Sequence, residues 1–157
     1  MKKEELLIKT IFNVLKKNSD IVSSTIVGSI NSMDLERISD IDIIVVVKKI
    51  DIGIIDLIKN SLSNIDLNEL DIEKQIFIND TFGPLKFDNK NNLVLHLMIY
   101  DHHLHLEHVE NSPFTCFDWE RSENFTGYSL SEISSVHKLM LNDFISSRRG
   151  TKEYIED

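Results

Sequence analysis

Two aspartates separated by one apolar residue, Asp40-Ile41-Asp42, open a run of apolar residues that continues through Ile43, Ile44, Val45, Val46 and Val47. Branched residues favour extended chain, and an unbroken apolar run of this length predicts a strand buried on both faces. Side chains alternate across a strand, so Asp40 and Asp42 share a face, about 6.6 Å apart along the backbone. Flexible side chains close that gap enough to hold one or two divalent cations, which sit about 3.5–4 Å apart in two-metal phosphoryl-transfer centres. Carboxylates at the mouth of an apolar strand are costly to desolvate unless a cation or hydrogen bonds compensate them. The chemistry on offer is the neutralisation of charge at a phosphoryl group.

Upstream, Gly28 and Ser29 follow the apolar pair Ile26-Val27. A glycine there permits a tight turn and close backbone approach to a ligand, and Ser29 adds a hydroxyl and an N–H that can meet a phosphate. Alone, Gly-Ser is a turn and Asp-x-Asp a solvated strand edge. Together, an apolar strand, Gly28-Ser29, ten intervening residues and Asp40-Ile41-Asp42 resemble the signature of the nucleotidyltransferase superfamily, in its minimal DNA polymerase beta-like form. Ser39, directly before the first aspartate, and the basic Arg37 also fit that pattern, and the likeness covers residues 21–47.

The resemblance implies an α+β fold, with a mixed β-sheet flanked by helices. It implies one or two Mg²⁺ ions on Asp40 and Asp42, and a nucleoside triphosphate as co-substrate. Gly28, Ser29, Arg37 and Ser39 would then bind the nucleotide. The reaction would move a nucleoside monophosphate to an acceptor hydroxyl, on a small molecule such as an aminoglycoside or on a protein or RNA partner. Enzymes of this class draw a third acid from a later strand beside the Asp-x-Asp strand. Here the best candidate is Leu93 to Tyr100, and its polar position carries His96. An imidazole ligates transition metals but is a poor ligand for magnesium. Asp88 is the substitute third acid, as ligand or base, while Asp101 lies at the far end of the strand. The departure at His96 opens a second expectation: a catalytically impaired nucleotide-binding regulatory or interaction protein of the same fold.

The elements needed to position these residues are legible. Residues 3–17 read as a helix, with Leu7, Ile8, Ile11, Phe12 and Leu15 at helical spacing. A strand at 21–27 precedes the Gly-Ser turn, and Ser32 to Ile38 is long enough for one helical turn. Asp51 is placed to cap a helix reaching Ser63, with Ile54, Ile55, Leu57, Ile58 and Leu62 as its apolar side. Strands are predicted at Glu73–Asn79, Pro84–Asp88 and Leu93–Tyr100, the last two joined as a hairpin through residues 88–92. The capping-box spacing at Ser129 and Glu132 predicts a final helix running to Arg148-Arg149, with Gly150 ending it. Those arginines either close the helix or reach nucleotide phosphates.

Two stretches fit the scheme less well. Asp101 to His108 holds four histidines in seven residues, His102, His103, His105 and His108. With no cysteine nearby it reads as a polar helix or loop surface, a zinc-dependent enzyme being the weaker alternative. Pro113 to Arg121 is rich in aromatic residues without a helix or strand period. It is expected to be a loop packed over the core, or a wall of a base or acceptor pocket.

The 157 residues suit a single domain. The one cysteine, Cys116, excludes an internal disulfide or a cysteine-based zinc cluster, and is expected to be buried rather than reactive. The net charge of −9 argues against extensive nucleic-acid binding, which rests on neutralising phosphates with Lys and Arg, and suits a cationic acceptor. With no apolar run of membrane-spanning length and no signal-peptide layout, a cytoplasmic protein is expected. A protein partner or a homodimer through residues 113–127 is compatible with the composition.

Overall fold

Helix α1, Lys3–Leu15, buries the stripe its spacing predicts: Leu7, Ile11, Phe12 and Leu15. The computed structural model describes residues 1–28, 30, 40–81 and 90–145. Strand β1, Ile21–Val27, leads into Gly28, and β2, Ile41–Val47, begins directly after Asp40. Helix α2, Ile52–Ser63, starts where Asp51 accepts a hydrogen bond from the Ile54 N–H at 2.8 Å. It buries Ile54, Ile58 and Leu62, while Leu57, expected on the apolar side, is half exposed. A 3-10 turn at Leu67–Leu70 leads to β3, Gln75–Asn79, and then β4, Asn92–Tyr100.

These strands form one mixed sheet of order β3-β4-β2-β1 with β5, Phe125–Gly127, outside β1. β1 runs antiparallel to β2 and β5, whereas β2 and β3 both run parallel to β4. The parallel β2–β4 pair puts β2 in the middle, which is why all of Ile43 to Val47 is buried, as the apolar run predicts. Alternation divides that strand between two cores. Ile41, Ile43, Val45 and Val47 join Leu93, Leu95 and Leu97 under α1 and α2. Ile44 and Val46 join Val27 and Leu130, with Met98, Tyr100 and Trp119 packed against them. Asp42 and His96 alternate onto this second face. The α+β class with a mixed sheet between helices is therefore the architecture of the chain.

Helix α3, His102–Asn111, follows β4 without a loop, because Asp101 caps it by accepting from the Leu104 N–H at 2.8 Å. The aromatic stretch is not a loop but helix α4, Pro113–Glu120. Proline at the first helical position loses no hydrogen bond. Its apolar side chains turn to several neighbours at once, so no single stripe marks it. Cys116 is buried, Phe114 packs edge-on against Phe144 at 4.6 Å, and Phe117 lies under Arg121 at 5.1 Å.

The long final helix is also corrected. Its capping box forms, with the Ser129 N–H donating to Glu132 at 2.7 Å, but α5 spans only Leu130–Ile133. Ser134 is extended, at φ −153° and ψ 110°. Serine competes for its own backbone, and the next free N–H, of Val136, donates to Glu120 at 3.0 Å rather than into a helix. Helical backbone resumes at 141–145, where Asp143 accepts from the Met140 N–H at 2.7 Å. The turn within 32–38, the strand 84–88 with its hairpin, and Arg148, Arg149 and Gly150 lie outside the described residues. No helix among the described residues is long and apolar enough to cross a membrane.

Candidate metal centre

Register places polar residues of three strands, β2, β4 and β3, in one row beside Val27 of β1. Val27 pairs with Asp42, Asp42 with His96, and His96 with Asn79. Successive strands lie about 4.8 Å apart, so side chains on one face of such a row meet. Asp40, one residue before β2, joins from the same side, as the two-residue alternation predicts. One ligand atom each from Asp40, Asp42 and His96 lies within 4.8 Å of the others. Among the described residues this is the only set of three His, Cys, Asp or Glu side chains so placed. His96 therefore stands where the third acid was sought.

Hydrogen bonding fixes the imidazole. Its Nε2 lies 3.1 Å from the Thr81 carbonyl and its Nδ1 lies 3.0 Å from Asp42 Oδ1. A carbonyl only accepts, so Nε2 carries the hydrogen. Thr81 is itself held: its N–H and hydroxyl both donate to Asn79 Oδ1, at 3.0 and 2.6 Å. Asn79 is 2% exposed. Neither Asn79 nor Thr81 stands out as a site residue in the sequence. The available signal is an asparagine two residues before a threonine at a strand end, the spacing of an Asx turn.

Gly28 completes the approach from β1. It has φ +87°, and a Cβ built there would sit 3.0 Å from Asp42 Oδ2. Glycine is thus required twice, for the left-handed backbone and for the space the carboxylate uses. Asp42 is partly desolvated. Burial first, and the neighbouring Asp40 carboxylate second, raise its pKa above the ordinary 3.8, while contact with His96 works the other way. Two close carboxylates sharing a half-buried pocket repel unless a cation or a proton offsets them. The donor set thus fits a divalent ion.

Of the other residues named from the sequence, Ser29, Arg37, Ser39 and Asp88 lie outside the described residues. Asp101 is the cap of α3 and lies outside the group formed by Asp40, Asp42 and His96. Beside Thr81, where β3 ends and β4 continues, Leu97 to Tyr100 line a cleft of about 130 Å³ with Asp80. Sites that enclose a drug-sized ligand occupy roughly 300–1,000 Å³, so this cleft by itself does not enclose a nucleotide.

The histidine cluster divides by helical geometry. His102 and His103 are exposed, whereas His105 is buried and His108 half-buried against Tyr100 and Trp119. They form no metal-sized group of three among the described residues. Burial pushes the Cys116 thiol up to about 12, an unreactive position. Burial, then His108 and His102, lower His105 to about 4. An unfolded histidine titrates near 6.5, so the unfolded chain takes up a proton that the folded chain refuses. Stability is therefore complete above about 6.5 and falls as pH drops towards 4, by up to about 3 kcal/mol. Urea midpoints at pH 7.5 and 4.5 are expected to lie closer together in His105→Leu than in the wild type. Equal separation in the two proteins would remove His105 as the cause.

Set against protein-family models, curated proteins and solved structures, the chain gives no significant match to any of them.

Proposed function

We propose that this chain is a metal-dependent nucleotidyltransferase that moves a nucleoside monophosphate from a nucleoside triphosphate to an acceptor hydroxyl. The observation that carries the reading is the meeting of Asp40, Asp42 and His96 on one sheet face, against the Gly28 bend. Charge patterning alone would not group them. The strand register does, and it brings Gly28 at the end of β1 against Asp42.

Asp40, Asp42 and His96 would hold the cation, magnesium on the family resemblance. That ion would neutralise charge on the phosphates and lower the pKa of the attacking hydroxyl. The chain's own part is positional. The bend at Gly28 leaves backbone free to approach phosphate oxygens without a side chain between. Asp42 is kept in place by His96, which is kept in place by Thr81. The acceptor oxygen would attack the α-phosphorus in line, forming the new P–O bond as pyrophosphate leaves with the electron pair of the broken one. The acceptor's proton passes to solvent or to a carboxylate. A cationic small molecule suits the net charge of −9, and a protein or RNA hydroxyl is the other class.

His96 in the place of the third acid favours one second reading, a nucleotide-binding protein without turnover. One experiment separates the two. The protein is incubated with each of the four nucleoside triphosphates, labelled at the α-phosphate, with Mg²⁺ or Mn²⁺. Aminoglycosides, total RNA and the protein itself serve as acceptors. Label transfer with stoichiometric pyrophosphate is expected. Metal-dependent thermal stabilisation by nucleotide without pyrophosphate would establish the second reading. Neither effect with any nucleotide would remove both.

A further inference from the structure

We infer that the centre prefers a first-row transition cation, with Mn²⁺ as the oxygen-compatible representative, over Mg²⁺, because His96 enters it through Nδ1 in a tautomer imposed by Asn79 and Thr81. This rests on the metal centre of the proposed transferase and adds the identity of its ion.

The Thr81 carbonyl takes the Nε2 hydrogen at 3.1 Å, so Nδ1 is the ring atom turned to the acids: it donates to Asp42 when the ring is protonated and offers a lone pair to a cation when it is neutral. In the neutral ring that lone pair faces Asp42 Oδ1 at 3.0 Å. Two lone pairs at that distance repel unless something positive stands between them. A proton would satisfy this pair alone. Asp40 brings a third ligand atom within 4.8 Å of both. A metal ion is the occupant whose ligand geometry takes in all three atoms. Histidines that bind metals are held in the same way, the far ring N–H donating to a carbonyl or carboxylate. Asn79 makes the carbonyl a fixed one. Its buried amide oxygen accepts both hydrogen bonds that Thr81 has to give, so the turn after β3 is locked where the ring needs it. Asn79 is a positioning residue, acting through Thr81 and His96.

The donor set, two carboxylates and a neutral imidazole, then decides between ions. Mg²⁺ takes oxygen ligands in near-ideal octahedra and gives up water reluctantly. Mn²⁺ accepts carboxylate and phosphate oxygens as readily, and imidazole nitrogen gains in strength towards the later divalent ions. Three carboxylates would leave magnesium competitive; one imidazole in their place handicaps it.

The test uses the whole chain, stripped of metal by chelation, without turnover. Mn²⁺ is titrated with electron paramagnetic resonance detection and then displaced with Mg²⁺, with and without ATP. The Mg²⁺ excess needed for half-displacement is expected to be roughly tenfold or more higher in wild type than in His96→Asp. Electron spin-echo modulation from a directly bound ¹⁴N is expected in wild type and absent in His96→Asp and His96→Asn. Asn79→Ala is expected to weaken Mn²⁺ binding by roughly tenfold or more. Should His96→Asp fail to fold, the nitrogen coupling in wild type decides alone. Mn²⁺ bound without nitrogen coupling, or with an unchanged competition ratio, overturns this inference and leaves the transferase reading standing. No Mn²⁺ bound in any condition overturns both.

Discussion

Replacing Asp40 and Asp42 together by asparagine is expected to lower nucleotidyl transfer by ~10³-fold or more, while the metal-free protein melts no lower than wild type. The two halves have separate causes. A cation at a reacting phosphoryl group supplies several kcal/mol of charge stabilisation, and ~4 kcal/mol corresponds to ~10³ in rate. Asparagine keeps the shape and can still hydrogen-bond His96 Nδ1 from position 42, so the link between β2 and β4 is kept. Without metal the carboxylates are a burden. The pKa of Asp42 lies above its ordinary value because burial and Asp40 oppose its charge. The folded chain therefore holds that proton more tightly than the unfolded chain. This contribution favours folding below about pH 3.8 and turns into a cost as pH rises through the elevated folded value. At neutral pH, removing the charge relieves that cost. Metal reverses the order: wild type is expected to gain melting temperature on adding Mn²⁺, and the variant to gain none. Melting in chelator and in Mn²⁺, beside pyrophosphate release, checks all of this. A variant that melts well below wild type in chelator would make the aspartates structural, and one that keeps its activity would remove them from the chemistry.

The central part of this arrangement was legible in the sequence for a local reason. The buried strand, the shared face of Asp40 and Asp42 and the caps at Asp51 and Ser129 depend on residues within a few positions of each other. Period and cap chemistry encode them directly. His96 could be placed opposite the acids only by assuming which strand lies beside β2, and the parallel β2–β4 pairing bears that placement out. Asn79 and Thr81 could not be found that way. Their role exists only because β3 pairs with the far side of β4, a contact that follows from topology and not from spacing.

The two helices that depart from the sequence expectation have a related cause. In α4, Pro113–Glu120, Trp119 turns to His108 of α3 and Phe114 to Phe144, so tertiary packing overrides any stripe. In the C-terminal stretch the apolar period continues through Met140, Leu141 and Phe144, but Met140 and Leu141 are largely exposed and Phe144 turns to Phe114. Periodicity records which residues would share a helical face. It does not record whether the backbone finds better partners elsewhere, as the Val136 N–H does at Glu120.

Gly28→Ala is expected to cost about 1–2 kcal/mol of stability and, separately, to weaken metal binding by up to ~10²-fold. The first cost is that of a Cβ in left-handed backbone at φ +87°. It should lower the melting temperature by roughly 2–8 °C in a chain of this size. The second comes from the 3.0 Å approach of that Cβ to Asp42 Oδ2. The carboxylate is the free end of a side chain and gives way, so the clash is paid in ligand geometry rather than in folding. The carboxylate has to give by a few tenths of an ångström, and disturbing the support of a metal ligand costs ~10–100-fold in affinity. Gly28→Asn separates the two. Asparagine tolerates positive φ better than alanine, yet carries the same Cβ. It is therefore expected to recover part of the lost melting temperature while binding Mn²⁺ as poorly as the alanine variant. If both variants bind Mn²⁺ like wild type, Asp42 does not use the space beside Gly28, and the bend serves the backbone alone. If asparagine restores binding along with stability, the left-handed turn itself, and not the room it leaves, is what the centre requires.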